Sequence, residues 1–371
     1  MLTQPPLTTA PEQAPDHVLG AHLQQSRGLQ WLHAANGDPH ARLLCGLDDS
    51  ADELHREIRD RGPLWRSLTG SWVTASHAVA AEVLADPVFE QGVDPVQHVL
   101  PAMSFDPGEP RLAPDAVHAL LPRARQVCDA LLGPVGAEFD LITDFATPAA
   151  TAVAAAVLGI PDDRHDAFAR CCRDLAVVPD GVLTAQPLDV VRRAQRASAE
   201  LAGTLAEGDR RLGLLLATVT VPLMANLTAQ CVVSLLQHPD QAWGDDAVEE
   251  TLRHRPPWRI ESRVAGRDVT LAGRDLPAGA HVAVLLAAAG RDPAVFTEPD
   301  SFLVGRPDVD RHLALTGGAH LTAGAHLVRA HARTAVASLR DRRPGLRFAG
   351  PVRRTRRTGV TDGLVSAPVR T

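Results

Sequence analysis

The chain has 371 residues, of which 45% are hydrophobic and 22% charged, and its formal net charge at pH 7 is −7. This length and composition allow a sizeable buried core, whereas the acidic balance argues against nucleic acid as the main partner. The charge is unevenly spread, because nine arginines and only two aspartates lie from Arg340 onward. Patches of opposite sign favour protein partners as readily as any other kind.

The cysteines and the N-terminus favour a cytoplasmic protein. The five cysteines show neither the spacing of a metal site nor an even disulfide framework, and two of them, Cys171 and Cys172, are adjacent. This usage is typical of a reducing compartment. Residues 1–19 have no signal-peptide pattern and are predicted to form a flexible arm. Residues 20–371 are predicted to form a single domain.

The N-terminal part of the chain begins with a predicted helix and a turn. Residues 24–45 combine an amphipathic start with the turn signal Asn36-Gly37-Asp38-Pro39. A helix over residues 52–61, strand-like residues over 64–74 and a second helix over 77–84 follow.

The middle of the chain is predicted to be helical. Helices are expected over residues 120–132, 146–158, 166–175 and 188–205. Residues 212–237 carry no formal charge, which raises the question of a membrane span. Polar residues are scattered around this stretch and Pro222 interrupts it, so we interpret it as a buried central helix.

Residues 312–330 contain closely spaced glycines followed by an apolar run. Gly317, Gly318 and Gly324 predict a tight loop that can hold a flat group, and the residues after the loop are expected to be helical. This stretch resembles the haem-thiolate loop of bacterial cytochromes P450, Phe-Gly-x-Gly-x-x-x-Cys-x-Gly. The family's typical residues recur at Gly318, His320, Gly324, Ala325, His326, Leu327 and Arg329.

The position of the family's haem-ligating cysteine is occupied by Thr322. A thiolate donates electron density to iron, whereas a threonine hydroxyl is neutral near pH 7 and is a poor haem ligand. No catalytic residue is therefore predicted.

Two further elements of haem chemistry also depart from the family pattern. In the family, an acid and an alcohol on the central helix relay protons. Their positions are occupied here by Pro222, Leu223 and Met224, none of which carries an exchangeable side-chain proton. The helix that clamps a haem propionate falls on residues 106–114, where three prolines, among them Pro110, predict that it is shortened or lost. Arg263 matches the arginine that contacts a propionate in the family.

The scaffold motifs of the family are kept. Glu250 and Arg253 form its Glu-x-x-Arg motif, whose spacing places both side chains on one helix face. Arg306 is the candidate to complete a buried Glu-Arg-Arg network. The resemblance implies a mainly α fold with small β-sheets, the cytochrome P450-like fold, over nearly the whole chain from about residue 20.

The combination of damaged haem chemistry and intact scaffold resembles the cysteine-less P450 homologues that assist glycosyltransferases in macrolide and anthracycline pathways. This resemblance implies a protein without haem or metal that binds, stabilises and activates a deoxysugar glycosyltransferase in a hetero-oligomer, with self-association left open. We expect Trp31, Asn36 and Asp38 to contribute to the partner interface.

Other interpretations stay open at this point. An atypical enzyme could hold haem through His320 or His326, although a histidine in a glycine-rich loop is more often solvated or hydrogen-bonded. A small-molecule binding module that uses the vacated pocket is a third candidate. Trp31 could instead pack the N-terminal helix internally. The basic run over residues 353–357 is interpreted as a solvated strand edge.

Overall fold

A computed structural model of the chain describes residues 10–46, 51–92, 109–355 and 358–371. Helices make up most of this part of the chain and the strands are short. The predicted fold class, mainly α with small β-sheets, is confirmed. The helix, hairpin and helix predicted over residues 52–84 are also found.

The helices and strands have the following bounds. The α-helices are α1 (Asp16–Ala35), α2 (Pro39–Cys45), α3 (Ala51–Asp60), α4 (His77–Ala85), α5 (Pro114–Leu132), α6 (Thr147–Leu158), α7 (His165–Leu175), α8 (Leu188–Thr204), α9 (Arg210–Leu215), α10 (Val221–Gln237), α11 (Asp245–His254), α12 (Leu286–Ala289), α13 (Gly318–Thr322) and α14 (Ala325–Arg342). The strands are β1 (Trp65–Arg66), β2 (Trp72–Thr74), β3 (Phe89–Gln91), β4 (Glu138–Asp140), β5 (Ile260–Ala265), β6 (Val269–Leu271), β7 (Arg274–Leu276), β8 (His281–Leu285), β9 (Arg347–Phe348), β10 (Arg353–Arg354), β11 (Leu364–Ser366) and β12 (Pro368–Arg370).

The largest sheet has five strands in the order β1-β2-β8-β5-β3. Strands β2 and β8 are parallel, and β5 pairs antiparallel with both β8 and β3. Successive side chains of a strand point to opposite faces, so Glu261 and Arg263 of β5 point to the same face. The last strands lie in two small antiparallel sheets, in which β10 pairs with β11 and β12 pairs with both β4 and β9.

The central apolar stretch forms one continuous helical run over residues 210–237. A π-helical turn, Leu216–Thr220, joins α9 to α10 directly before Pro222. Proline cannot donate the regular backbone hydrogen bond, and a wider turn relieves this defect. Thr218 and Thr228 bury their hydroxyls by donating to the carbonyls of Leu214 and Met224, at 2.6 and 2.8 Å.

Two helical stretches are long and apolar enough to cross a membrane, Leu141–Leu158 and Glu207–Gln237. The protein itself buries 61% of the first and 83% of the second. The second stretch contains the central helix, whose predicted burial in the core is confirmed.

The N-terminal helix begins earlier than the sequence predicts. The arm was expected to reach residue 19, but α1 starts at Asp16, and Ala14 and Leu19 are buried in the core at 2% and 0% exposure. These two apolar side chains hold the segment against the domain, so the predicted boundary is wrong. Residues 1–9 lie outside the described part of the chain.

Candidate functional site

The glycine-rich segment is partly helical, because Gly318–Thr322 forms α13 where an irregular loop was predicted. Its glycines lie close to other side chains of the protein. A Cβ at Gly317 would lie 3.1 Å from Glu261, and one at Gly318, whose φ is +75°, would lie 3.0 Å from Arg263 Nη2. A Cβ at Gly324 would lie 2.8 Å from Thr220 Oγ1 of the central helix. The glycines therefore allow this segment to close on the sheet and on the central helix.

A buried charge cluster, formed by Glu261, Arg263 and His320, lies beneath the glycines. The three residues are 2%, 3% and 1% exposed. Arg263 Nη1 donates to Glu261 Oε1, and His320 Nε2 lies 3.3 Å from Glu261 Oε2. Burial alone would raise the pKa of Glu261, but His320 and Arg263 outweigh it and lower that pKa. The cluster thus links α13 to β5 through the Glu261 carboxylate, which faces His320.

Thr322 does not face this cluster. Its side chain is exposed, and its hydroxyl donates to the carbonyl of Gly318 at 3.0 Å. His326, one of the two candidate haem-ligating histidines, is also exposed. The other, His320, is buried rather than solvated and faces Glu261.

The proton-relay positions of the central helix lie among apolar side chains. Leu223 and Met224 are 3% and 0% exposed and belong to the main hydrophobic core. Neither they nor Pro222 can exchange a side-chain proton. The hydroxyl of Thr220 can exchange a proton, but it is buried and has no hydrogen-bond partner among the described residues.

The propionate-clamping helix was expected to be shortened or lost over residues 106–114. Residues 106–108 lie outside the described part of the chain. From there, Pro110–Leu112 forms a short 3-10 turn and α5 begins at Pro114. Proline is well tolerated in the first turn of a helix.

These residues do not fit a thiolate-ligated haem. By the family resemblance, the iron ligand belongs to the glycine-rich segment and the proton relay to the central helix, and both act on the same iron. A porphyrin would therefore have to lie between these two segments and keep them apart. Instead, Gly324 lies so near the central helix that a Cβ on it would be only 2.8 Å from Thr220 Oγ1. Arg263, which matches a propionate-binding position, is engaged by Glu261, and Thr322 supplies no sulfur.

The structure brings Glu250, Arg253 and Arg306 together as the motifs predict. Glu250 and Arg253 are fully buried, and Arg253 donates two hydrogen bonds of 2.8 Å to the Glu250 carboxylate. Arg306 Nε lies 3.1 Å from Glu250 Oε2. The carbonyl of Ser301 accepts from both arginines. A planar guanidinium with five donors suits such a site, because each donor finds an acceptor.

Known proteins share both the sequence and the fold of this chain. The family model "Cytochrome P450" matches residues 244–322. Protein DesVIII of Streptomyces venezuelae is 42% identical over 99% of this chain and 97% of its own length. Cytochrome P450 family protein EryCII of Saccharopolyspora erythraea is 34% identical over 95% of this chain and 97% of its own.

The chain belongs to the cytochrome P450 family. The crystal structure of Mycobacterium smegmatis CYP164A2 in a ligand-free state, at 26% identity, superposes with a TM-score of 0.76 and covers 89% of this chain and 98% of that one. The full-length matches extend the family membership beyond the region of the family model. The fold is thus the cytochrome P450 fold, as predicted.

A second charged cluster in this P450 fold was not predicted from the sequence. Glu249, next to the Glu-x-x-Arg glutamate, accepts hydrogen bonds from His312, Arg329 and Arg333 at 2.8 to 3.2 Å. Burial alone would raise the pKa of Glu249, but the bond from His312 and the charge of Arg329 lower it to about 2. Arg329 had been noted as family-typical, yet nothing in its position along the chain pointed to Glu249.

The predicted interface residues differ in their exposure. Trp31 is 41% exposed near the end of α1, beside Leu32 at 44%, so it is not an internal packing residue. Asn36 is also exposed and donates to the carbonyl of Leu32 at 2.9 Å. Asp38, at 2% exposure, is buried, and the prediction that it faces a partner is wrong. It caps α2 by accepting from the backbone of Ala41 at 2.8 Å, and it also accepts from Ser67 and from the Leu68 backbone.

Proposed function

We propose that this protein is a non-catalytic member of the cytochrome P450 family that binds, stabilises and activates a deoxysugar glycosyltransferase in polyketide antibiotic biosynthesis. One observation carries the proposal: the segment that resembles the haem loop closes on Glu261, Arg263 and Thr220 of its own chain. The chain is therefore proposed to hold no haem and to catalyse no reaction. The Glu250 network is kept because the fold still has to form.

The exposed side of α1 supports a protein partner. We call it the α1 face. From Val18 onward, the exposed residues of α1 carry no charge: Val18, Ala21, Gln24, Gln25, Gly28, Trp31, Leu32 and Ala35. Val18, Trp31 and Leu32 are three of the five large hydrophobic side chains that are exposed in the described residues. Tryptophan is enriched at binding hot spots, and clustered exposed apolar residues mark interaction sites.

A protein without a reaction of its own can still activate a partner. If it binds only the active conformation of the transferase, it shifts the transferase population towards that conformation. The same binding stabilises the folded transferase by mass action. The rigid helical body supplies the surface, and no step of the transfer passes through its own side chains.

The proposal is tested by co-expressing its candidate partner, a deoxysugar glycosyltransferase from the same organism, with and without this chain. We expect sugar transfer and soluble transferase only when both are present, and we expect no Soret band in the visible spectrum of the purified chain. A preparation with stoichiometric haem would overturn the non-catalytic role. Equal transfer in the absence of this chain would overturn the auxiliary role.

A further inference from the structure

A small cleft lies apart from the glycine-rich segment and from the α1 face. It has a volume of about 100 Å³. It is formed by α3, the end of α11, the residues before β5, α12, Arg291 and Asp362. Its polar lining consists of Asp52, His55, His254, Arg255, Arg259, Arg291 and Asp362. Three arginines thus meet two aspartates, so the lining is positive when its histidines are neutral.

The aspartates occupy only part of the arginine donors. Arg291 Nη1 lies 2.9 Å from Asp52 Oδ2, and its Nε donates to the carbonyl of His254. Arg255 Nε donates to Asp362 at 2.9 Å. Arg259 donates through Nη2 to the carbonyl of Thr358, but its buried Nε has no hydrogen-bond partner among the residues that the structure describes. Each guanidinium carries five N–H donors and no acceptor, so the cleft has more donors than its own acceptors use.

His55 adds a second, independent sign of a missing acceptor. It lines the cleft, it is only 5% exposed, and neither ring nitrogen has a hydrogen-bond partner in the described part of the chain. Burial lowers the pKa of His55 to about 3, with Arg259 and Arg291 acting in the same direction against Asp52. A neutral imidazole still carries one N–H donor. A buried donor without an acceptor is costly and is rare in folded proteins.

From this surplus of buried donors we infer that the cleft is a binding site for a compact oxyanion, with a phosphoryl group as its ligand. The donors come from three separate segments of the chain: His55 from α3, Arg255 and Arg259 from the residues before β5, and Arg291 from the residues after α12. This arrangement suits a tetrahedral group with oxygens in several directions better than a planar carboxylate. Arginine binds phosphate through paired N–H donors. The volume admits one phosphoryl group and leaves the remainder of a larger ester outside. The site stands whether or not a glycosyltransferase is the partner.

Isothermal titration of the full chain with sodium phosphate tests the site, with sodium chloride and sodium acetate at equal ionic strength as comparisons. We expect saturable binding of one phosphate per chain and none of chloride or acetate. Glucose 1-phosphate distinguishes free phosphate from a phosphate ester as the ligand. If it binds as tightly as inorganic phosphate, the ligand is the phosphoryl group of an ester; if it binds much more weakly, the ligand is free phosphate. Equal responses to phosphate, acetate and chloride would overturn the site in favour of general ion screening.

Substitutions locate the binding. Arg259→Met and His55→Phe are each expected to weaken phosphate binding about tenfold or more, since each removes a buried donor to a charged group. Arg255→Met is a second route if those variants fail to fold, because its side chain is 37% exposed at the rim. Arg353→Met, at an exposed position of β10 outside the cleft, is the matched control and should bind as the wild type does. Unchanged affinity in folded Arg255→Met and Arg259→Met would contradict the assignment.

Discussion

His320 Nε2 in α13 lies 3.3 Å from Glu261 Oε2 in β5, with both side chains buried. The other oxygen of this carboxylate accepts from Arg263, two residues further along the same strand. One glutamate therefore joins the glycine-rich segment to the sheet and neutralises Arg263. Each oxygen of its carboxylate faces a basic side chain of the same chain.

Replacing this carboxylate should destabilise the fold. Glu261→Gln leaves the buried charge of Arg263 without its counter-ion, and removing one partner of a buried pair costs about 3–5 kcal/mol. We expect the free energy of unfolding in urea to fall by that amount. Glu57→Gln is the control, because Glu57 pairs with Arg42 and Arg61 at the surface and its side chain is 39% exposed. A loss of about 1 kcal/mol or less is expected there, and equal losses in the two variants would contradict the role of the cluster.

Local motifs predicted the scaffold better than they predicted the site. Glu250 and Arg253 are three residues apart on one helix, so their pairing follows from helix geometry. The glycines were recognised for the same reason, as a local pattern. What they close on was not predicted, because Glu261 and Thr220 are distant along the chain and only the tertiary fold brings them near.

Two other features show the same limit. Asp38 lies in a sequence that reads as an exposed turn, yet the hairpin that contains Ser67 and Leu68 covers it and uses its carboxylate. The phosphoryl cleft is assembled from residues between Asp52 and Asp362, whose separation in sequence conceals their proximity. Burial and long-range contact are decided by packing, which a local pattern does not specify.

The α1 face should carry partner binding. Trp31→Ala combined with Leu32→Ser is expected to weaken capture of the co-expressed glycosyltransferase at least about tenfold, because a few exposed aromatic anchors dominate most interfaces. The fold should be unaffected, since both side chains are more than 40% exposed. Val365→Ser, at an equally exposed apolar position in β11, is the matched control. Undiminished capture by the double variant, measured at equal protein concentrations, would place the interface elsewhere.

Acid should destabilise the protein in part through His331. This histidine of α14 is 1% exposed, and neither ring nitrogen has a hydrogen-bond partner among the described residues. Burial lowers its pKa from 6.5 to about 4. The unfolded chain therefore takes up the proton first as the pH falls. Stability is complete above about pH 6.5 and declines towards pH 4, by up to about 1.4 kcal/mol per pH unit for this one group.

The variant His331→Leu should remove that part of the decline. Its free energy of unfolding is measured in urea at several pH values between about 4 and 6.5. As the pH is lowered, this free energy should decrease less steeply than that of the wild type, because the unfolded chain takes up one proton fewer. Other histidines, among them the buried His40 and the half-buried His254, keep their own contributions, because desolvation lowers their pKa values as well. The exposed His326 on the same helix provides the control as His326→Leu. Parallel curves for His331→Leu and the wild type would show that this histidine is not buried as described.

Restoring the missing sulfur should not restore haem binding. In Thr322→Cys the thiol would occupy an exposed position. The threonine hydroxyl at this position donates a hydrogen bond to the carbonyl of Gly318. Gly324 would still contact Thr220, and Arg263 would still be held by Glu261. The relay positions Leu223 and Met224 would also remain apolar. We therefore expect no Soret band and no oxygenase activity when the variant is produced with a haem precursor. A haem-containing P450 produced under the same conditions is the control for haem supply.

A Soret band typical of thiolate ligation in Thr322→Cys would mean that only the ligand had been lost. It would also mean that the contacts closing this segment give way to a porphyrin at little cost in stability.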